Sequence, residues 1–252
     1  MIQYETRGNV AVITLDRPEA RNAVNGQLAE ELEAAVDRME ADDAVWIGVL
    51  THTGPVFCAG ADLKAINAGG AAQLNTPSGG FGGIVAKART KPLIAACDGP
   101  AYAGGCEIVL ACDLLVASTE ARFGVPEVKR NLVAAAGALF RLPAALPRNV
   151  ATEMLLTGDP IDAERAHQLG FVNRLAEPGG ALDAALALAA EVTANAPLAV
   201  RKSLEVSKAR FDTDEEAFTA SGRAIAEVMA SEDTVEGLTA FIEKRPPRWK
   251  GR

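Results

Sequence analysis

Tyr102-Ala103-Gly104-Gly105-Cys106-Glu107-Ile108-Val109-Leu110-Ala111-Cys112 reads as a turn of small residues that runs directly into a helix. Residues 108–112 are all apolar, and a helix without a polar face is buried all round. Glu107 is its only charge before Asp113. A buried carboxylate needs a partner, or it neutralises with a raised pKa, because removing an unpaired charge from water is costly. The alternative is a Glu that caps its own helix or pairs with a buried Arg. The same turn leaves backbone N–H groups free at a helix N-terminus, where an anion is welcome. Gly104 lets another molecule approach the backbone closely.

Outward from this turn, strands alternate with helices. Val10–Leu15 (VAVITL), Val45–Thr51 (VWIGVLT), Leu93–Cys97 (LIAAC) and Leu114–Ala117 are short apolar runs of the kind that form buried strands. Residues 27–40 place Leu28, Leu32, Ala35, Val36 and Met39 on one helical face. From about residue 143 the pattern turns helical, with helices expected over 181–193 and 197–209. A last helix should start after Ser231 as N-cap and run through Ile242. The fold class is α/β with a helical C-terminal section.

The chain has 252 residues, 49% hydrophobic but only 5% aromatic, so the core is aliphatic. No apolar run is long enough for a membrane helix and the start lacks a basic-then-apolar signal pattern, so a soluble, cytoplasmic protein is expected. The formal charge of −8 argues against a nucleic-acid partner. The last nine residues, KRPPRWKGR, carry Lys244, Arg245, Arg248, Lys250 and Arg252, and without these five cations the rest stands at −13. Such a tail could face a phosphate-bearing ligand or an acidic neighbouring subunit, or it could simply be solvated.

Cys58, Cys97, Cys106 and Cys112 form no C-x-x-C pair and lie among apolar neighbours, as reduced core residues do. His52 and His167 are far apart in sequence, so neither a His-rich zinc site nor a His-dependent nucleophile is expected. Residues 67–83 are Gly-rich but contain neither a dinucleotide fingerprint nor a Walker A sequence, which weakens an oxidoreductase reading.

Two further segments could carry chemistry. Val56–Lys64 (VFCAGADLK) follows a strand and exposes backbone N–H groups at the place where α/β proteins bind ligands. Its plain alternative is a strand–turn–helix with Asp62 as the cap. Arg122-Phe123-Gly124-Val125-Pro126-Glu127-Val128 puts a second carboxylate at a Pro-Glu helix start, twenty residues beyond Glu107.

At these residues the sequence resembles the crotonase superfamily, in particular its enoyl-CoA hydratase branch, over nearly the whole chain. Arg17–Ala23 (RPEARNA) is similar to the family's coenzyme-A loop, Phe57–Leu63 to its first oxyanion loop and Gly104–Glu107 to its second oxyanion turn. Phe123–Glu127, Glu153–Gly158, Leu169–Arg174 and Phe241–Lys250 match further family segments.

The resemblance implies a crotonase-like spiral of ββα turns over residues 1–195 and a helical oligomerisation section over 196–252. It also implies homotrimers or dimers of trimers. The implied substrate is an acyl-CoA thioester that brings its own coenzyme A, with no separate cofactor and no metal. By position, Glu107 and Glu127 would be the acid/base pair and the N–H groups of Ala59 and Gly104 the oxyanion hole. Arg21, Ala23, Ala61, Asp62, Leu63, Lys64, Val125, Ala135, Phe241 and Lys244 would bind substrate.

One base suffices to shift a double bond, whereas two carboxyl groups around one water favour hydration. The expected reaction is therefore addition of water to a 2-enoyl-CoA. A carnitinyl-CoA dehydratase-like hydro-lyase, a Δ3,Δ2-isomerase and a non-catalytic acyl-CoA-binding protein are the alternatives. Val125 stands where short-chain hydratases carry Gln. Val133–Gly137 replaces their Pro-Gly-x-Gly-Gly turn, which narrows and dries the pocket. Arg141–Pro147 (RLPAALP) looks more like the carnitinyl-CoA dehydratase branch.

Overall fold

A computed structural model describes residues 1–209 and 211–251; Arg252 of the basic tail lies outside the described residues. Ile2–Arg7 (β1) and Val10–Leu15 (β2) form an antiparallel hairpin. Ile47–His52 (β3), Leu93–Cys97 (β4), Leu114–Ser118 (β6) and Arg174–Ala176 (β9) extend it in parallel, giving the order β1-β2-β3-β4-β6-β9. A smaller sheet of Ile161–Asp162 (β8), Arg122–Gly124 (β7) and Ala101–Tyr102 (β5) stands beside it in that order.

Alternation along the strands loads both faces of the large sheet. Ala11, Ile13 and Leu15 join the core that contains Leu28, Leu32, Val36 and Met39 of Gly26–Ala41 (α1). Val10, Val12, Ile47, Val49, Ile94 and Val116 face the opposite way, onto Ala181, Ala185 and Ala189 of Ala181–Thr193. Asn25 caps α1 by accepting the N–H of Leu28, and the buried Lys91 ammonium closes its other end on the carbonyls of Met39 and Asp42.

The path between the sheets positions the site. The chain runs from β4 to β5 and into Gly104–Ala111 (α2). One turn later it runs from β6 to β7 and into a 3-10 helix at Pro126–Arg130. β5 and β7 pair in parallel, Ala101 opposite Phe123. Cys58 makes an isolated parallel bridge to Ala101, so the 57–62 segment occupies the matching place on the preceding turn. This is the expected spiral of ββα turns.

The C-terminal section is Pro197–Lys208, Asp214–Met229 and Glu232–Glu243. Ser231 holds the N-cap position as expected, but its hydroxyl donates back to the Val228 carbonyl at 2.7 Å instead of capping the next helix. Among the described residues no helix is long and apolar enough to cross a membrane.

The basic tail differs from expectation. Arg245 pairs with Glu236 and Glu243, and Lys250 pairs with Glu232. Asp233 accepts the N–H groups of Lys250 and Gly251, and the Trp249 indole donates to the Ala194 carbonyl. Much of the charge is therefore met by acids of the preceding helix, spacing that a charge count along the tail does not register.

Candidate active site

Glu107 sits in the first turn of α2 and is 3% exposed. Its Oε1 accepts the N–H of Ala138 at 3.1 Å, and no ion pair joins it to a cation among the described residues. Burial pushes its pKa up to about 7; the Ala138 N–H works against that rise and the charge of Glu127 adds to it. Helix capping and a buried ion pair, the structural alternatives for Glu107, both fail on this geometry. The carboxyl points away from its own helix, to a turn thirty-one residues further on.

Glu127 opens the 3-10 helix with Pro126 ahead of it. Its carboxyl is also pushed up, chiefly by burial. Its Oε2 is buried without a hydrogen-bond partner among the described residues. The twenty-residue spacing of the two glutamates is one turn of the spiral, since each follows one of the paired strands β5 and β7. Burial disfavours the ionised form of both carboxyls, and it brings Glu107 close to neutrality.

The backbone beside them has unusual geometry. Ala103 takes φ 52°, ψ −129° at the entry to α2, an unusual conformation for a residue with a side chain. The N–H of Gly104, the first residue of α2, follows it. Gly60, at φ +93°, packs against it: a methyl there would lie 2.8 Å from the Ala103 Cβ and 3.1 Å from the Gly104 nitrogen.

This geometry corrects one expectation. The N–H of Ala59 donates to the Arg21 carbonyl at 3.1 Å, so it is already used within the chain. Val24 donates to the Gly60 carbonyl and accepts from the Asp62 N–H, which turns the N–H of Ala61 to the opposite side of the strand-like segment. Among the described residues neither the Ala61 N–H nor the Gly104 N–H donates a hydrogen bond. Ala61 and Gly104 also stand three residues past the bridged pair Cys58 and Ala101, the same place on adjacent turns.

Asp62 is a second correction. Its carboxylate pairs with Arg17 at 2.7 Å and accepts the N–H groups of Lys64 and Ala65. Burial alone would raise its pKa, but these partners outweigh burial and hold it below the usual range. It is a scaffold residue with its acceptors occupied, which favours the plain reading of Asp62 as a cap.

Of the other expected binding residues, Arg21 adopts the left-handed conformation and is exposed. Ala23 is buried, and its carbonyl accepts from Arg17. Leu63 and Lys64 are exposed on the short helix after Asp62. Val125 is buried in the main core. Ala135 is exposed, and it is the neighbouring Ala138 and Ala136 whose N–H groups act on Glu107. Phe241 is 84% exposed near the end of the last helix, and Lys244 caps that helix in the left-handed conformation.

Sequence reading missed three residues. Asn22 is fully buried, accepts the Arg17 N–H and donates to the carbonyls of Thr53 and Val56. Arg17 joins the 17–24 loop to Asp62. Phe81 lies on the Gly104 turn: a methyl on Gly104 would come within 2.3 Å of its Cε1. A buried Asn between Arg21 and Ala23 carries no sequence signal, because the carbonyls it donates to lie more than thirty residues away.

Glu107 and Glu127, both with raised pKa, thus stand on adjacent turns of the spiral together with the unengaged N–H groups of Ala61 and Gly104. Residues 5–252 match the family model for enoyl-CoA hydratase/isomerase, and the chain belongs to that family. It is 37% identical to a carnitinyl-CoA dehydratase of Proteus mirabilis over 100% of this chain and 98% of that one. It is also 37% identical to an enoyl-CoA hydratase of Mycobacterium tuberculosis, over 98% and 96% of the two chains. Among solved structures, another enoyl-CoA hydratase of M. tuberculosis superposes with a TM-score of 0.96 at 45% identity, covering 100% and 99% of the chains. A carnitinyl-CoA hydratase of Mycobacterium avium gives 0.79 at 45% identity, covering 100% and 98%.

Proposed function

We propose that this protein is an enoyl-CoA hydratase, a hydro-lyase that adds water across the 2,3 double bond of an enoyl-CoA thioester. The observation that carries the reading is the buried Glu107 with the half-buried Glu127, both with raised pKa, together with the free N–H groups of Ala61 and Gly104. Family membership and the relatives named as hydratases and dehydratases support it.

The thioester oxygen is received by the N–H groups of Ala61 and Gly104. Donors fixed where negative charge develops are worth roughly 3–4 kcal/mol each in the transition state. Glu107, with a pKa near the working pH, takes the proton from the water that attacks C3. Glu127, whose carboxyl is pushed up by burial, gives a proton to C2 of the enolate. Arg21, Leu63 and Lys64 stand exposed near this turn to meet the coenzyme-A portion, and no cofactor beyond the substrate's own coenzyme A is needed.

The assembly we propose is a homotrimer or a dimer of trimers built on the 196–252 section. Phe218, Ile225 and Met229 on one helix, and Val235, Leu238 and Phe241 on the next, are large apolar residues left exposed in the single chain. In that assembly Phe241 and Lys244 reach a coenzyme-A end, the chain's own or a neighbour's.

A carnitinyl-CoA dehydratase reading rests on the relatives of that name. A panel of straight, branched and carnitine-bearing enoyl-CoA thioesters with mass-spectrometric product detection tests the assignment. A gain of one water on a 2-enoyl-CoA is expected. Double-bond migration, CO2 release or free thiol as the sole product would overturn it.

A further inference from the structure

Most cations around α2 are matched by acids. Arg89 and Lys208 share Asp113, and Lys87 is held by Glu33 and Asp37. Arg141 differs: it is half-buried and makes no ion pair among the described residues. Its Nη2 donates to the Val85 carbonyl at 2.6 Å. Its Nη1 lies against Gly137, so closely that a methyl on Gly137 would meet it at 2.4 Å. Gly137 immediately precedes Ala138, whose N–H holds Glu107. Val85 in turn donates to the carbonyl of Phe81, the residue lying on the Gly104 turn.

We infer that Arg141 is a positioning residue for Glu107: its guanidinium clamps the 136–138 turn against the Phe81–Val85 segment and supplies the positive charge that favours the ionised carboxylate. The inference rests on the reading of Glu107 as the base. A guanidinium withdrawn from water without a carboxylate partner is retained only where its charge or its fork of donors has a use. The ionisable groups that face Glu107 are Glu127 and Arg141, and those that face Arg141 are Glu107, Arg89 and Cys112. Cys106, beside Glu107 in α2, is neutral because burial pushes its thiol far up. Arg141 is therefore the cation acting on Glu107 that offsets part of its burial.

The test compares Arg141→Gln, which has no charge, with Arg141→Lys, which keeps the charge but loses the fork. The readouts are the acid limb of kcat/KM and direct titration of the Glu107 carboxyl by carbon-13 NMR, assigned with Glu107→Gln. In Arg141→Gln the limb and the NMR titration should both move up, with a loss of rate at the acid end that fades at high pH. In Arg141→Lys both should stay near wild type while kcat falls. An unmoved titration in Arg141→Gln, whatever its rate, overturns the inference. If Arg141→Gln does not fold, Arg141→Met is titrated in its place: an upward move supports the inference and an unmoved titration overturns it. The NMR titration needs no turnover, so a wild-type protein that hydrates no enoyl-CoA would count against the proposed function and leave the Arg141 result separate.

Discussion

The backbone N–H of Ala138 donates to Oε1 of Glu107 at 3.1 Å, joining the first residue of the Ala138–Ala145 helix to the first turn of α2. This bond fixes where a buried carboxyl points. It is also too little to satisfy a full charge, which is why burial still holds the pKa near 7.

That imbalance has a consequence for stability. A carboxyl whose folded pKa is raised favours the folded state below its unfolded value, 4.5, and that contribution is lost as pH rises through about 7. Glu107→Gln keeps an acceptor for the Ala138 N–H and removes the ionisation. It should raise stability at pH 8 by about 2–3 kcal/mol relative to wild type and leave it nearly unchanged at pH 4. Denaturant melts at the two pH values check this; equal differences at both would contradict it.

Gly60→Ala should disable the site. The added methyl would crowd the Ala103 Cβ and the Gly104 nitrogen from a backbone at φ +93°. Shifting the Gly104 donor should lower kcat about 100-fold or more, with a smaller change in KM. Steady-state kinetics near wild type would show that these N–H groups do not meet the oxyanion.

Asn22→Ala should destabilise the protein by about 2–4 kcal/mol, because it leaves the Arg17 N–H and the Thr53 and Val56 carbonyls without their buried partner. Urea unfolding reads this directly. A midpoint that does not move would mean that the 17–24 loop is held by other contacts.

Phe81→Ala should widen the acyl range. The ring lies on the Gly104 turn, where the thioester is received in the proposed reaction. Removing it should raise kcat/KM for branched over straight enoyl-CoA thioesters by roughly tenfold. An unchanged ratio would place the acyl filter elsewhere.

Sequence alone revealed what depends on local pattern. The strands β2 and β4 and the helix Ala181–Thr193 follow from apolar runs and periodicity. Glu107 was legible because it is the one charge in an apolar helix. Glu127 was legible only through family resemblance, since a Pro-Glu helix start is common. The choice between Ala59 and Ala61 was not legible: it turns on which N–H faces Arg21, and that alternation is set by a bridge from Val24 to Ala61 across distant residues. The short strands β5, β7 and β8, two or three residues each, leave no periodic trace, yet they set the spacing of the two glutamates. Arg17, Asn22 and Phe81 act through partners that only the fold brings near.

The most direct test of the account is turnover of crotonyl-CoA in oxygen-18 water by wild type, Glu107→Gln and Glu127→Gln, with product mass and rate measured together. Wild type should place the heavy oxygen at C3. Each variant should remain folded, bind the thioester and lose at least about 100-fold in kcat. Full hydration activity in either variant would contradict the assignment of these two carboxyls as the acid/base pair.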